Sequence, residues 1–196
     1  KPSSAASDVY KRQSQHKIAI ETLQRIKEKT NARLVVTDII NKMDMCIRND
    51  ISGISRMEFN IMCARERKKR LCPFYRVNPL AVSALDSEVY HVEQAKTICR
   101  NLGSCPHATA LGHIANSNVI VADYNYMIDV GIRNIVLSKL RRDLSDIILI
   151  IDEAHNLPER VRSLYTSSLN RQLLYSCLKE SREYVKQPLL DNLIKV

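Results

Sequence analysis

The stretch Ile147-Ile148-Leu149-Ile150-Ile151-Asp152-Glu153-Ala154-His155 decides how this chain reads. Five consecutive aliphatic residues leave no polar face, which is the pattern of a central parallel strand covered on both sides, and they predict a strand over Asp146–Asp152. In α/β sheets ligand chemistry gathers at the carboxyl ends of the strands, where this chain places two carboxylates and an imidazole. A first carboxylate there, such as Asp152, can hold Mg²⁺ through water, and a second, such as Glu153, can orient and deprotonate an attacking water. An imidazole two residues on, His155, is placed to sense a γ-phosphate and relay its state to a polymer-binding surface. The plainer alternative is a strand that ends in a solvated acidic turn.

Outward from this stretch the chain keeps an α/β rhythm. Upstream, Ala108–Ala115 and Tyr126–Leu140 read as helices flanking an Asn118–Asp123 strand, Asn-Val-Ile-Val-Ala-Asp. Further upstream, Ile18, Ala19, Leu23 and Ile26 recur at helical spacing over Gln15–Lys29, and Arg33–Ile40 reads as a short strand with Leu34, Val35 and Val36 as its apolar run. Downstream of Pro158 a helix presents Leu164, Leu169, Leu173, Leu174 and Leu178. Lys1–Gln13 is polar, lacks an apolar period, and resembles a stretch recurring at the ends of translated shotgun fragments. It is expected to be disordered or an adapter artefact and is set aside from the fold.

Composition narrows the function classes. The chain has 196 residues and 45% hydrophobic content, enough for one domain or parts of two. Its longest apolar run is too short to span a membrane, and no secretory h-region is visible, so an intracellular protein is expected. The four glycines, Gly53, Gly103, Gly112 and Gly131, are far apart and none precedes a lysine. Neither G-x-x-x-x-G-K-[ST] nor G-x-G-x-x-G can be written, so the chain carries no phosphate cradle of its own. The formal charge of +9 points to a polyanionic partner. It is locally concentrated: Cys46–Arg76 holds eight Lys/Arg against three Asp/Glu.

Five of the six cysteines fall between Asn41 and Cys105, where the α/β rhythm breaks and Pro73 and Pro79 intervene. This segment reads as an insertion organised around something other than a large apolar core. Cys46, Cys63, Cys72 and Cys105 are spaced C-x16-C-x8-C-x32-C, without the tight knuckles of zinc fingers and ribbons. Four thiolates on long loops suit a [4Fe–4S] cluster; a zinc site and incidental buried thiols are the alternatives. Cys99 competes with Cys105 for the fourth place, and Cys177 is expected to be structural.

The segment Ile150-Ile151-Asp152-Glu153-Ala154-His155-Asn156 resembles motif II of DEAH-type superfamily 2 helicases. The cysteine-bearing insert narrows the resemblance to the XPD-like iron–sulfur DNA helicases, the group with FANCJ-like, RTEL-like and DinG-like members. Asn41-Lys42-Met43-Asp44-Met45-Cys46 is similar to the family's entry into its first ligand, and Cys72-Pro73-Phe74-Tyr75 to its third-ligand pattern. Cys105-Pro106 resembles the fourth, although His107 and Ala108 stand where the family has aromatics. Tyr124-Asn125-Tyr126-Met127-Ile128-Asp129 then follows at a family-like distance, and Ser14-Gln15 matches the end of the family's motif Ia.

The resemblance implies an α/β fold: a partial RecA-like P-loop NTPase motor domain with an inserted iron–sulfur domain and the start of a helical Arch domain. The implied division is motor over 14–40 and 106–157, cluster domain over 41–105, and Arch from 158 to 196. It further implies ATP-driven 5′→3′ unwinding of single-stranded and forked DNA in repair, with a [4Fe–4S] cluster, Mg²⁺ and ATP as cofactors. Asp152, Glu153 and His155 take the catalytic roles, with Mg-ATP at Asp152 and Glu153. The cluster domain lies beside the DNA path in the family, so Ser14, Gln15, Lys42, Arg65, Arg67, Lys68, Lys69 and Arg70 are candidate DNA contacts. Tyr75, Tyr124 and Tyr126 are candidate stacking faces for unpaired bases, or core. For Arg65–Arg70 a solvated helix face is the alternative. The chain reads as an internal segment whose P-loop lies upstream, unable to hydrolyse ATP alone. A non-catalytic, metal-stabilised nucleic-acid-binding module remains a competing class. The compact cysteine spacing points to an archaeal, cytoplasmic source, with the nucleus as the eukaryotic counterpart.

Overall fold

A computed structural model describes the backbone of residues 4–166 and 174–177, with side chains from residue 15 onward within those ranges. The chain divides into two compact units, Lys1–Ile151 and Asp152–Val196. The first unit is mostly helical around a short parallel sheet.

Helix α1 runs Ser4–Thr30 and leads into strand β1, Val36–Ile39. Helices α2 (Arg56–Lys68), α3 (Pro79–Ser87), α4 (Val92–Asn101) and α5 (Pro106–His113) form the crossover to strand β2, Val119–Ala122. Helices α6 (Asn125–Ile128) and α7 (Val130–Leu140) follow. The strands pair in parallel, Val36 opposite Val119 through Ile39 opposite Ala122. Asn118 extends the pairing at its amino end: its Oδ1 accepts the Val35 N–H at 2.9 Å and its Nδ2 donates to the Arg33 carbonyl at 3.0 Å.

All four residues of β1 are buried, as a strand covered on both faces requires. Alternation along the strand sorts its side chains between two layers. Val36 packs with Ile20 of α1 and with Val89, and Asp38 is hydrogen-bonded to His16 of α1. On the other face Ile39 joins Met45, Val92, Ala110, Ile114, Tyr126 and Val136 in the main core, and Thr37 bonds His113 of α5.

Four observations bear on the sequence reading. Helix α1 begins at Ser4, so residues 4–13, expected to be disordered, have helical backbone. Ala, Ser, Gln, Lys and Arg without an interior Gly or Pro are compatible with helix even where no apolar period exists. Second, Met45, Val89 and Val92 of the 41–105 segment lie in the cores around β1, within the first compact unit. Helix α3, capped by Asn78 with Pro79 at its first position, and α4, capped by His91, begin as ordinary helices there. Third, residues 147–151 form no strand: a 3₁₀ turn at Leu144–Asp146 precedes them, and Ile148 and Ile150 are 92% and 89% exposed. An apolar run becomes a strand only beside a hydrogen-bonding edge, and among the described residues the sheet consists of β1 and β2 alone. Fourth, Cys177, expected to be structural, is exposed.

In the second unit a 3₁₀ turn at Ala154–Asn156 leads into α8, Leu157–Tyr165, with Pro158 in its first turn. Of the leucines expected on this apolar face, Leu169, Leu173 and Leu178 lie outside the described residues, and Leu174 is exposed. No helix among the described residues is long and apolar enough to cross a membrane.

Candidate metal centre and acidic motif

Cys46, Cys63, Cys72 and Cys105, scattered along the sequence, line one cavity, together with Lys42, Arg48, Phe59, Glu66, Arg67 and Tyr75. Each ligand segment is shaped locally. Asn41 forms an Asx turn, its Oδ1 accepting the Asp44 N–H at 3.1 Å, and the Cys46 N–H donates to the Met43 carbonyl at 3.1 Å. Cys63 sits on α2, which starts with a reciprocal cap: Ser55 Oγ accepts the Glu58 N–H at 3.2 Å and Glu58 Oε2 accepts the Ser55 N–H at 2.7 Å. The Ser55 N–H, and then the Ser55 side chain, hold the Glu58 carboxyl below its ordinary value. Phe59, 1% exposed, anchors the buried face of the same helix. Cys72 opens a turn closed by the Tyr75 N–H on its carbonyl at 3.2 Å. Cys105 caps α5, with Pro106 at the first helical position.

The thiols sense one another. Burial pushes the Cys46 thiol up, the Arg48 N–H pulls it down, and the charges of Cys63 and Cys72 push it further up. Cys105 is raised first by burial and then by the charges of Cys46 and Cys72, against the N–H groups of Ala108 and His107 at the start of α5. Both shifts favour the neutral thiol without metal, and a bound metal ion would supply the positive charge that the thiolate form needs. Among the described residues no three His, Cys, Asp or Glu side chains converge on a point that a single ion would fill. Cys99 does not line the cavity; it is fully buried on the inner face of α4, beside Thr109.

The proposed DNA contacts divide. Arg65, Lys68, Lys69 and Arg70 are exposed around the end of α2, and Arg70 takes a left-handed conformation just past it. Arg67 turns inward: its guanidinium lies 4.4 Å over the Tyr75 ring, and its Nη2 donates to the Tyr75 hydroxyl at 2.9 Å. Lys42 is half-buried on the cavity wall, Gln15 is half-buried on α1, and the Ser14 side chain lies outside the described residues. Tyr124 is half-buried. Tyr126 is a core side chain at 6% exposure, the second of the two readings its sequence position left open. Its hydroxyl donates to the Ile40 carbonyl at 2.8 Å.

Sequence reasoning missed the polar groups that hold this region together. Arg48 is paired with both Asp50 and Glu66. Buried Ser104 donates its hydroxyl to the Arg76 carbonyl at 2.8 Å and accepts the Asn78 N–H at 3.2 Å. Neither residue type at these positions carries a pattern that would have marked it in advance.

In the second unit, the Asp152 carboxylate accepts the Glu153 N–H at 2.9 Å, and Glu153 Oε2 lies 3.2 Å from His155 Nδ1. All three side chains are exposed. Glu153 has φ 51° and ψ 42°, a left-handed conformation that strains a residue with a Cβ by about 1–2 kcal/mol. Strain of this kind is found at sites where backbone geometry aims a functional group. The exposed carboxylates suit Mg²⁺, which keeps most of its waters and takes one or two protein oxygens.

Known proteins share this arrangement of segments. The DEAD_2 family matches residues 10–174. The chain is 27% identical over 158 residues to the ATP-dependent DNA helicase CHL1 of Candida glabrata, covering 75% of the chain and 19% of that protein. It is 29% identical over 160 residues to CHL1 of Saccharomyces cerevisiae, covering 76% and 18%. With the regulator of telomere elongation helicase 1 homolog of Oryza sativa subsp. japonica it shares 31% identity over 177 residues, covering 83% and 16%. The chain thus spans about a fifth of the length of the curated relatives it matches. All three come from eukaryotes and lend nothing to an archaeal source. Because the match runs through the cysteine-bearing segment and the acidic motif alike, the chain belongs to the DEAD_2 family, the XPD-like superfamily 2 iron–sulfur DNA helicases.

Proposed function

We propose that this chain supplies the acidic motif and the cysteine centre of an ATP-dependent DNA helicase that moves 5′→3′ along single-stranded DNA and opens forks during nuclear DNA repair. The observation that carries the reading is the Asp152-Glu153-Ala154-His155 motif with its carboxylate and imidazole already in contact. Asp152 holds Mg²⁺ of Mg-ATP, which neutralises charge on the phosphates when bound. Glu153 takes a proton from the attacking water. That proton arrives 3.2 Å from His155 Nδ1, so the imidazole registers the hydrolytic state directly.

The residues around the cavity fit a [4Fe–4S] cluster held by Cys46, Cys63, Cys72 and Cys105. A single zinc with bonds of about 2.3 Å to sulfur needs thiolates about 3.8 Å apart, whereas a four-iron cluster takes a wider set. All four thiols line one cavity. When bound, the cluster would supply a rigid covalent tie among the four ligand-bearing segments. Arg65, Lys68, Lys69 and Arg70 neutralise phosphates of the passing strand, while Ser14, Gln15, Lys42 and Tyr124 contribute to its path. The motor halves in the proposal are 14–40 with 106–157, the cluster segment is 41–105, and the Arch begins at 158.

The test is Glu153→Gln in the full-length protein. DNA-stimulated ATP turnover falls by about 10²–10⁴-fold, the loss expected when a general base is removed, with DNA affinity retained. Turnover that survives the substitution contradicts the motor reading.

A further inference from the structure

Adjacent residues of α2, Glu66 and Arg67, line the cysteine cavity and bind different ligand-bearing segments. Glu66 pairs with Arg48, two residues after Cys46, and both side chains are largely buried at 16% and 14% exposure. Arg67 stacks on and hydrogen-bonds Tyr75, three residues after Cys72. The circuit continues through the backbone: the Arg76 carbonyl accepts the Cys105 N–H at 3.2 Å and the Ser104 hydroxyl at 2.8 Å. Each ligand-bearing segment is therefore tied to the next by a polar bridge that uses no cysteine side chain. Loop 46–50 is tied to α2, α2 to loop 72–76, and loop 72–76 to the start of α5.

From this we infer that Arg48, Glu66, Arg67 and Tyr75 are positioning residues. They form a two-sided latch that holds Cys46, Cys63 and Cys72 in register for a cluster and slows its loss. The inference rests on the proposed cluster reading. Physically, a partly buried carboxylate–guanidinium pair and a cation–π contact fix long side chains that would otherwise leave the three thiols on independently moving segments. This gives Arg67 and Tyr75 a task distinct from gripping DNA. The guanidinium already occupies one face of the Tyr75 ring, and both side chains line the cavity wall.

The experiment is anaerobic reconstitution of this chain with iron and sulfide. Iron per chain and the rate at which the visible absorption bleaches under a chelator are then measured for the wild type and for Arg48→Ala, Arg48→Lys, Glu66→Gln, Arg67→Ala and Tyr75→Phe. Arg48→Ala and Arg67→Ala lose the cluster about tenfold faster, the scale expected for removing a group that orients metal ligands. Arg48→Lys and Tyr75→Phe, which keep the charge and the ring, fall between these and the wild type. Far-ultraviolet circular dichroism and the Tm of the apo chain stay near wild type, which separates positioning from general destabilisation. Bleaching at the wild-type rate in Arg48→Ala and Arg67→Ala overturns the latch alone. A wild-type chain that takes up no iron overturns the cluster reading, and the latch with it.

Discussion

Tyr126 donates its hydroxyl hydrogen to the Ile40 carbonyl at 2.8 Å, and His107 Nε2 lies 3.1 Å from the same oxygen. With the phenol hydrogen committed, His107 must donate from Nε2. Burial, and then the charges of Lys42 and Arg67, push that imidazole down to about 3, so it stays neutral. Burial followed by the Asp123 charge raises the Tyr126 phenol. Tyr126→Phe should lower unfolding free energy by about 1–3 kcal/mol, because the Ile40 carbonyl and the His107 N–H lose their partner inside the core. Urea denaturation measures the change, and an unaltered midpoint would show that the bond contributes nothing. An aromatic side chain suits a base stack or a core equally, so the sequence left this residue open. The choice between Cys99 and Cys105 was more legible than it first reads. Val92, Ala95 and Cys99 are the buried residues of α4 and fall at helical spacing, which places Cys99 on an inner helix face and away from the cavity.

Among the elements, β1 shows why titration couples to packing. Its Asp38 faces α1, where Oδ1 lies 2.6 Å from His16 Nδ1, and its Oδ2 accepts the Val92 N–H at 2.8 Å at the start of α4. His16 also has Asp123 at 3.8 Å beyond β2, and His91 approaches Asp38 at 4.0 Å. Burial alone would push His16 down, but the hydrogen bond and charge of Asp38, with the charge of Asp123, outweigh it and raise the group above 6.5. The stability this pair contributes is complete below about 6.5 and is lost as pH rises through the raised value. His113 works in the opposite sense. Burial lowers it despite Asp86, so its neutral form is favoured and stability falls as the pH drops below 6.5. Asp38→Asn should abolish the His16 contribution. The difference between wild-type and variant urea midpoints then shrinks as pH rises above 6.5, and a difference independent of pH would contradict the assignment. Comparing the two chains cancels the buried thiols, which titrate in both. Both strands around this network were legible because β-branched runs bounded by polar residues leave few alternatives. Residues 147–151 carry a stronger apolar run, yet hydrophobicity records the demand for burial and not the neighbour that supplies it.

At the scale of the whole molecule, the chain joins two chemistries that the sequence announces differently. The acidic motif is contiguous, so its residues could be read from a single line of sequence, and the family match spans them. The cysteine centre is assembled from four segments, and only the fold shows that Cys46, Cys63, Cys72 and Cys105 share one wall. The bridges between those segments use Arg, Glu, Tyr and Ser, residue types too common on surfaces to stand out. The most direct test of the central claim is the metal content and visible spectrum of the anaerobically purified chain, alongside Cys105→Ser and Cys99→Ser. The account predicts brown protein with about four irons and four sulfides per chain and broad absorption near about 400 nm. Cys105→Ser loses that signal and Cys99→Ser keeps it. Colourless protein carrying one zinc per chain, or a cluster that survives without Cys105 and disappears without Cys99, would contradict it.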